Sequence, residues 1–185
     1  MKQNILPAIK LTLICLIIFC GCYSLLVLGI AQAAPNKGEG QAVVLDGKTI
    51  GYSLEGQFFT ADKYFNGRPS AAGYNAAGSS GSNKGPSNPE YLKIVSDRID
   101  SFLVHNPTIQ KQDIPADLVT ASGSGLDPDI SLQGAMVQAD RIAKARNISK
   151  EKIITLIQSN SERSALNGID KINVLKVNIE LDKLK

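Results

Sequence analysis

An α+β fold is predicted for most of this chain, tied to one membrane-spanning helix near its start. Three observations carry that expectation. Residues 11–31 form an apolar run without a single Asp, Glu, Lys or Arg. After it, β-prone pieces and helix-periodic pieces fall into separate runs, not the regular alternation of a parallel α/β sheet. The remainder, about 150 residues, suffices for one domain with its own core.

The run comes first. As a helix it would span about 30 Å, the thickness of a bilayer's hydrocarbon core. Lys2 and Lys10 precede it and no acid occurs before Glu39, a bias that keeps the N-terminus in the cytoplasm. The expected division is a cytoplasmic segment over 1–10, a transmembrane helix over 11–31 and an extracytoplasmic domain over 32–185. A cleaved signal peptide is the rival, with Ala31-Gln32-Ala33-Ala34 as a small-residue site. Against it, the apolar run exceeds the usual 7–15 residues. Either way the domain is exported. Cys15, Cys20 and Cys22 all lie in the run, so the domain has no cysteine for an internal disulfide.

Next, Ala42–Leu45 and residues 49–54 read as strands around the turn pair Asp46-Gly47. Phe58 and Phe59 are expected to fill the core. Residues 66–89 are rich in Gly, Ser, Asn and Pro, which excludes a regular helix and predicts a long loop. Loops of that length in a small domain are usually functional or disordered. Tyr64, Phe65, Arg68 and Tyr74 are large side chains suited to tying it down.

Ser87 or Asn88 then caps a helix with Pro89 in its first turn. Tyr91, Ile94, Val95, Arg98, Ile99, Phe102 and Leu103 recur at helical spacing up to Asn106-Pro107. Ser131 caps a helix over 132–146, with Ala135, Met136, Ala139, Ile142 and Ala143 on its apolar side. Ser149 caps another helix, in which Ile153, Leu156 and Ile157 face inward, and the pair forms a hairpin around Asn147. Residues 172–181 alternate apolar and polar from Leu175 onward and read as a half-buried final strand.

Charge and motif content exclude several functions. Apart from Lys2 and Lys10, the 20 basic residues nearly balance 17 acids, so no broad field attracts nucleic acid. Lys144, Arg146, Lys150 and Lys152 form a local basic cluster that reads as solvated surface. The one histidine, His105, and the lack of cysteine beyond the run leave no zinc-ligand set. Asp117, Asp127 and Asp129 are too few for a dedicated calcium loop. Ser122-Gly123-Ser124-Gly125 lacks the first glycine of a nucleophile elbow. Gly78 to Gly85 fails as a phosphate-binding loop because Lys84 precedes Gly85. No catalytic residue, directly bound cofactor or metal is expected.

The chain resembles the C-subunit family of the bacterial Kdp potassium-transporting ATPase. Gly56-Gln57-Phe58-Phe59 leads to Tyr64-Phe65-Asn66-Gly67-Arg68-Pro69-Ser70-Ala71 and Tyr74-Asn75. Ser79-Ser80-Gly81-Ser82-Asn83 is followed by Ser87-Asn88-Pro89. The most specific stretch is Asp117-Leu118-Val119-Thr120-Ala121-Ser122-Gly123-Ser124-Gly125-Leu126-Asp127-Pro128. Asn173-Val174-Leu175 opens the last matching segment. The departures are Asp129 where the family usually has His, Leu132 where it usually has Pro, and Lys84 where an apolar residue is commoner.

The resemblance implies a non-catalytic accessory subunit of a high-affinity, ATP-driven potassium import complex, needed for assembly. The implied partners are a channel-like potassium-binding subunit, a P-type ATPase subunit, a small single-helix subunit and the lipid bilayer. ATP and Mg act at the ATPase subunit and K is the transported ion. The family has been described as a catalytic chaperone raising the pump's ATP affinity. With the domain outside the cell, that effect is expected to be indirect. Tyr64, Phe65, Arg68, Tyr74, Asn83, Asn88, Asp117, Ser122, Ser124 and Asp127 are the candidate interface or loop-structuring residues. Among them Arg68 is suited to hold carbonyls or a carboxylate, Asn83 and Asn88 to bridge loop amides, and Asp127 to cap the turn into the next helix. The competing reading is a membrane-anchored extracytoplasmic ligand-binding module.

Overall fold

The apolar run is helical over Ile5–Ala33 in the computed structural model, which describes residues 4–164 and 168–184. Helix α1 covers Ile5–Cys15 and α2 covers Tyr23–Ala33, with a wider π-helical stretch over Leu16–Cys22 between them. The helix begins before the uncharged run itself, because Pro7 in its first turn lacks only an N–H that would be unpaired there anyway. None of its residues is buried, as an apolar helix needs if lipid is its solvent. It ends at Ala34, after which Asn36, Lys37 and Gly38 all adopt positive φ. Among the described residues it is the one helix long and apolar enough to cross a membrane.

The chain divides into two compact units, Met1–Gln41 and Ala42–Lys185. The second unit begins with an antiparallel hairpin of β1 (Ala42–Leu45) and β2 (Lys48–Tyr52). Asp46 at φ 50° and Gly47 at φ 76° form its turn, the left-handed pair whose twist matches the flanking strands. The three-stranded sheet is built later in the chain, from β3 (Asp129–Ser131), β4 (Ser161–Arg163) and β5 (Asp170–Asn173), in the antiparallel order β3-β5-β4. Ile130 and Ile172 face each other across it and are buried.

Helix α3 (Pro89–His105) is capped by Asn88, whose side chain accepts from the Tyr91 N–H. None of its apolar residues is fully buried, and Ile94 is 44% exposed. Phe102 alone of its stripe packs against the main core, so the helix rests on the domain by one edge. Expected as one helix, residues 132–146 divide into α4 (Leu132–Met136) and α5 (Ala139–Arg146). The cause is local. Gln138 Nε2 takes the Gly134 carbonyl at 2.9 Å, and the Gln138 N–H bonds to Ala135 instead, at 3.1 Å. Ser131 caps α4, and Asn147 ends α5 in the left-handed region at φ 55°. Ser149 caps α6 (Lys150–Ser159).

The predicted final strand is a helix. Only Asp170–Asn173 pair in the sheet, and α7 runs over Val174–Lys183. The Asn173 side chain accepts from the Lys176 N–H and starts the helix. Val174, Leu175, Val177, Asn178 and Leu181 are buried, a helical spacing that the alternation from Leu175 onward conceals. Of these, Val174, Val177 and Leu181 meet Phe65, Ile130, Ile142, Ile153, Ile157 and Ile172 in one core. Phe59 packs against it, whereas Phe58, expected inside, is 71% exposed.

Candidate docking surface of two interlocked loops

Two loops carry most of the predicted site residues, and the fold presses them together. The loop after β2 runs through residues 53–88, and the second runs from the Ala116–Leu118 turn to β3. Their backbones bond directly: Gly56 N–H donates to Leu126 O at 2.7 Å, and Ser122 N–H to Pro69 O at 3.0 Å. The Ser79 hydroxyl donates to Ser124 O at 2.9 Å. Gly125 sits at φ 70°, and a Cβ there would stand 2.7 Å from Ser80 O. Only glycine meets both conditions.

Arg68 and Asp127 clasp the loops from their side chains. Arg68 Nη1 donates to Asp127 Oδ2 at 2.9 Å, with both side chains about a quarter to a third exposed (25% and 30%). Asp127 Oδ1 also accepts from the Asp129 N–H, so it fixes the bend into β3 and not the helix cap, which Ser131 provides. Tyr74 adds a second tie, its hydroxyl donating to Arg68 O at 2.6 Å while its N–H donates to Ser70 Oγ. Burial pushes the Tyr74 phenol above its ordinary pKa. Asp117 Oδ2 accepts from Ser131 N–H at 2.7 Å and anchors the second loop to the sheet.

Tyr64 and Phe65 anchor the first loop elsewhere. The Tyr64 hydroxyl donates to Asp182 Oδ2 at 2.9 Å, and the Arg146 guanidinium lies 4.9 Å from its ring centre. The bond to Asp182 and then burial raise the Tyr64 pKa, against the opposing pull of Arg146. Phe65 is fully buried, which removes it from any surface and leaves it a structural anchor. Of the remaining predicted residues, Asn88 caps α3. Ser122 is 2% exposed. Ser124 is exposed, its Oγ accepting from the Leu126 N–H. Asn83 is exposed at φ 52°, where Asn is tolerated for its short polar side chain.

A buried polar network behind the first loop escaped sequence reasoning. Arg141 is 7% exposed and uses all its donors: Nη1 to Asp62 O and Tyr64 O, Nη2 to Asn66 Oδ1 and Gln138 Oε1, and Nε to Asn106 Oδ1. Burial lowers its pKa and the Asp62 carboxylate raises it. Asn178 bonds the Phe65 backbone twice, Oδ1 accepting at 2.8 Å and Nδ2 donating at 3.0 Å. The available signal was Gln138 and Arg141 standing among the small apolar residues Ala135, Ala139 and Ala143 of the stretch expected as one helix. Of the basic cluster, Arg146 pairs with Asp182 and Lys150 with Asp140. Lys171 and Asp129 form an ion pair across the sheet, and their hydrogen bond raises the Lys171 pKa.

Chemically, the junction offers shape and hydrogen-bonding groups. His105 is bonded to Asp62, not to a serine. Among the described residues no group of three or more His, Cys, Asp or Glu is placed to hold a metal ion. The exposed rim of Ser79, Ser80, Asn83, Gly123 and Ser124 is polar and uncharged. Two rigidly joined loops with such a rim form a preorganised surface.

The family model described as "KdpC: K+-transporting ATPase, c chain" matches residues 5–183. A potassium-transporting ATPase KdpC subunit of Flavobacterium psychrophilum is 49% identical over 183 residues, 99% of this chain and all of the relative. Its counterpart in Flavobacterium johnsoniae is 50% identical over 183 residues, again 99% and 100%. That of Bacillus mycoides is 46% identical over 189 residues, covering 99% and 97%.

Proposed function

This chain belongs to the KdpC family, the c chain of K+-transporting ATPases, and from that premise we propose how its parts serve the complex. The chain is a non-catalytic accessory subunit of the Kdp potassium import complex, and ATP is hydrolysed by another subunit. The observation that carries this is the span of the match, which takes in the apolar helix and the whole folded unit together.

Residues 11–31 cross the plasma membrane once, residues 1–10 stay in the cytoplasm and the domain over 32–185 lies outside. The lysine bias around the span supports this orientation. The partners are a channel-like potassium-binding subunit, a P-type ATPase subunit and a small single-helix subunit. Gly21, Ser24 and Gly29 on the helix suit close packing against a neighbouring membrane helix. The interlocked loops present the domain to the extracytoplasmic side of a partner. Any gain in ATP affinity is transmitted through the partner's conformational equilibrium, because this domain and the nucleotide sit on opposite sides of the bilayer.

An affinity pull-down of the tagged full-length chain from its host's membranes in mild detergent tests this. Co-purification of a P-type ATPase and a multi-helix channel-like protein is the expected result. Recovery of the chain alone, with the rest of the complex intact in the membrane, would overturn the subunit reading and favour a free-standing binding module.

A further inference from the structure

A cleft of about 320 Å3 lies between α3 and the first loop and reaches Pro69 and Tyr74 at the edge of the loop junction. Phe58, Phe59, Tyr74 and Phe102 give it an aromatic wall, and Asp62, Arg98, His105 and Arg141 supply its acidic and basic side chains. An adjoining recess shares Phe58, Pro69, Tyr74 and Arg98, so the two make one elongated groove.

Asp62 pairs with both His105 and Arg141. Arg141 has every donor used, and Asp62 Oδ1 stands 2.8 Å from His105 Nδ1 and 3.9 Å from Arg141. Arg98 differs. It is half-buried and donates from Nη1 to Val119 O at 3.1 Å, yet no carboxylate among the described residues is within ion-pair distance of it. Arg68 and Arg146 each hold an Asp directly. Arg98 therefore leaves the groove with an unopposed positive charge. A guanidinium partly removed from water gains most from a carboxylate that is desolvated with it. Phe58, 71% exposed and 5.5 Å from the Tyr74 ring, adds an apolar contact at the mouth. An aromatic beside an Arg is the usual make-up of an interface anchor.

Resting on the subunit reading above, we propose that this groove receives an Asp or Glu side chain, with an apolar neighbour, from an extracytoplasmic loop of a partner subunit. The carboxylate meets Arg98 and the apolar residue lies against Phe58 and Tyr74. A chain segment fits the elongated groove better than a small free acid, which would fill one recess only.

The test uses the whole complex in native membranes. A photo-crosslinking benzoylphenylalanine replaces Phe58 in the tagged chain, and the crosslinked peptide is mapped by mass spectrometry. In parallel, partner recovery is measured for Phe58→Ala, Arg98→Lys and Arg98→Glu. The expected crosslink falls beside an Asp or Glu in an extracytoplasmic partner loop. Expected recovery falls about threefold for Phe58→Ala and about tenfold or more for Arg98→Glu, with Arg98→Lys retaining most of it. If Arg98→Glu is lost from the membrane, Phe58→Ala and the crosslink decide, because exposed Phe58 is not needed for the core. Should Phe58→Ala and Arg98→Glu recover partners as well as the wild-type chain does, the groove proposal is wrong and the subunit reading stands. A crosslink confined to lipid, or one blocked by millimolar succinate in an intact complex, also overturns it. A wild-type chain recovering no partner removes both.

Discussion

Replacing Asn178 by Ala tests whether the first loop is held by a buried side chain that mimics a strand. Asn178 is 2% exposed and Phe65 is fully buried. Oδ1 accepts from the Phe65 N–H at 2.8 Å, and Nδ2 donates to the Phe65 carbonyl at 3.0 Å. Alanine leaves both backbone groups buried and unpaired. Each orphaned group costs about 1–3 kcal/mol, so the pair costs about 2–6 kcal/mol before relaxation. The vacated space can admit a water that restores part of the bonding, which brings the expected loss to about 3 kcal/mol. That is a large share of the stability of an ordinary domain and corresponds to a Tm lower by about 6–12 °C. With no tryptophan in the chain, circular dichroism of the full-length protein in mild detergent is the suitable denaturation signal. The control is Asn75→Ala, which removes an exposed bond from the Ala77 N–H and should cost no more than about 1 kcal/mol. If the two variants lose equal stability, burial does not set the cost and the argument fails.

Gly125→Ala must hold a Cβ at φ 70° against Ser80 O at 2.7 Å and Ala72 Cβ at 2.9 Å. It should lose more than about 2 kcal/mol, whereas Gly85→Ala, with nothing within 4 Å, should be near neutral by the same denaturation measurement. Asp140 has its pKa lowered from 3.8, chiefly by the hydrogen bond from Lys150, with burial opposing and Thr108 helping. Its stabilising contribution is thus full above the unfolded-state pKa and is lost as pH falls through the folded value. Asp140→Asn should therefore flatten the loss of stability between about pH 5 and pH 2. An unchanged acid limb in the variant's pH–stability profile would contradict this.

The elements that were legible in the sequence are those fixed by short-range chemistry. Asn88, Ser131 and Ser149 cap their helices as their side chains require. Asn147 ends α5 with positive φ, and Asp46-Gly47 forms the hairpin turn. The strand-like reading of 172–181 failed because Leu175, Val177, Ile179 and Leu181 suit a strand taken alone. Asn173 as a cap and Val174 and Asn178 as core-facing residues tip it to a helix. The break in α4–α5 depends on a side chain bonding one turn back, which apolar periodicity does not register. Phe58 read as core because aromatic residues usually are, yet the chain turns it outward beside Tyr74.

By itself the sequence determined an uncharged helix long enough to cross a bilayer, an α+β class and a motif set that runs the chain's length. These follow from local composition, capping and spacing. Only the tertiary structure decided which loop touches which. Arg68 lies 59 residues from Asp127 and Phe65 lies 113 from Asn178. Among the described residues no carboxylate pairs with Arg98, a result of where the fold sets them. Such pairings depend on distances between segments remote in sequence, and those become defined only once the core has packed.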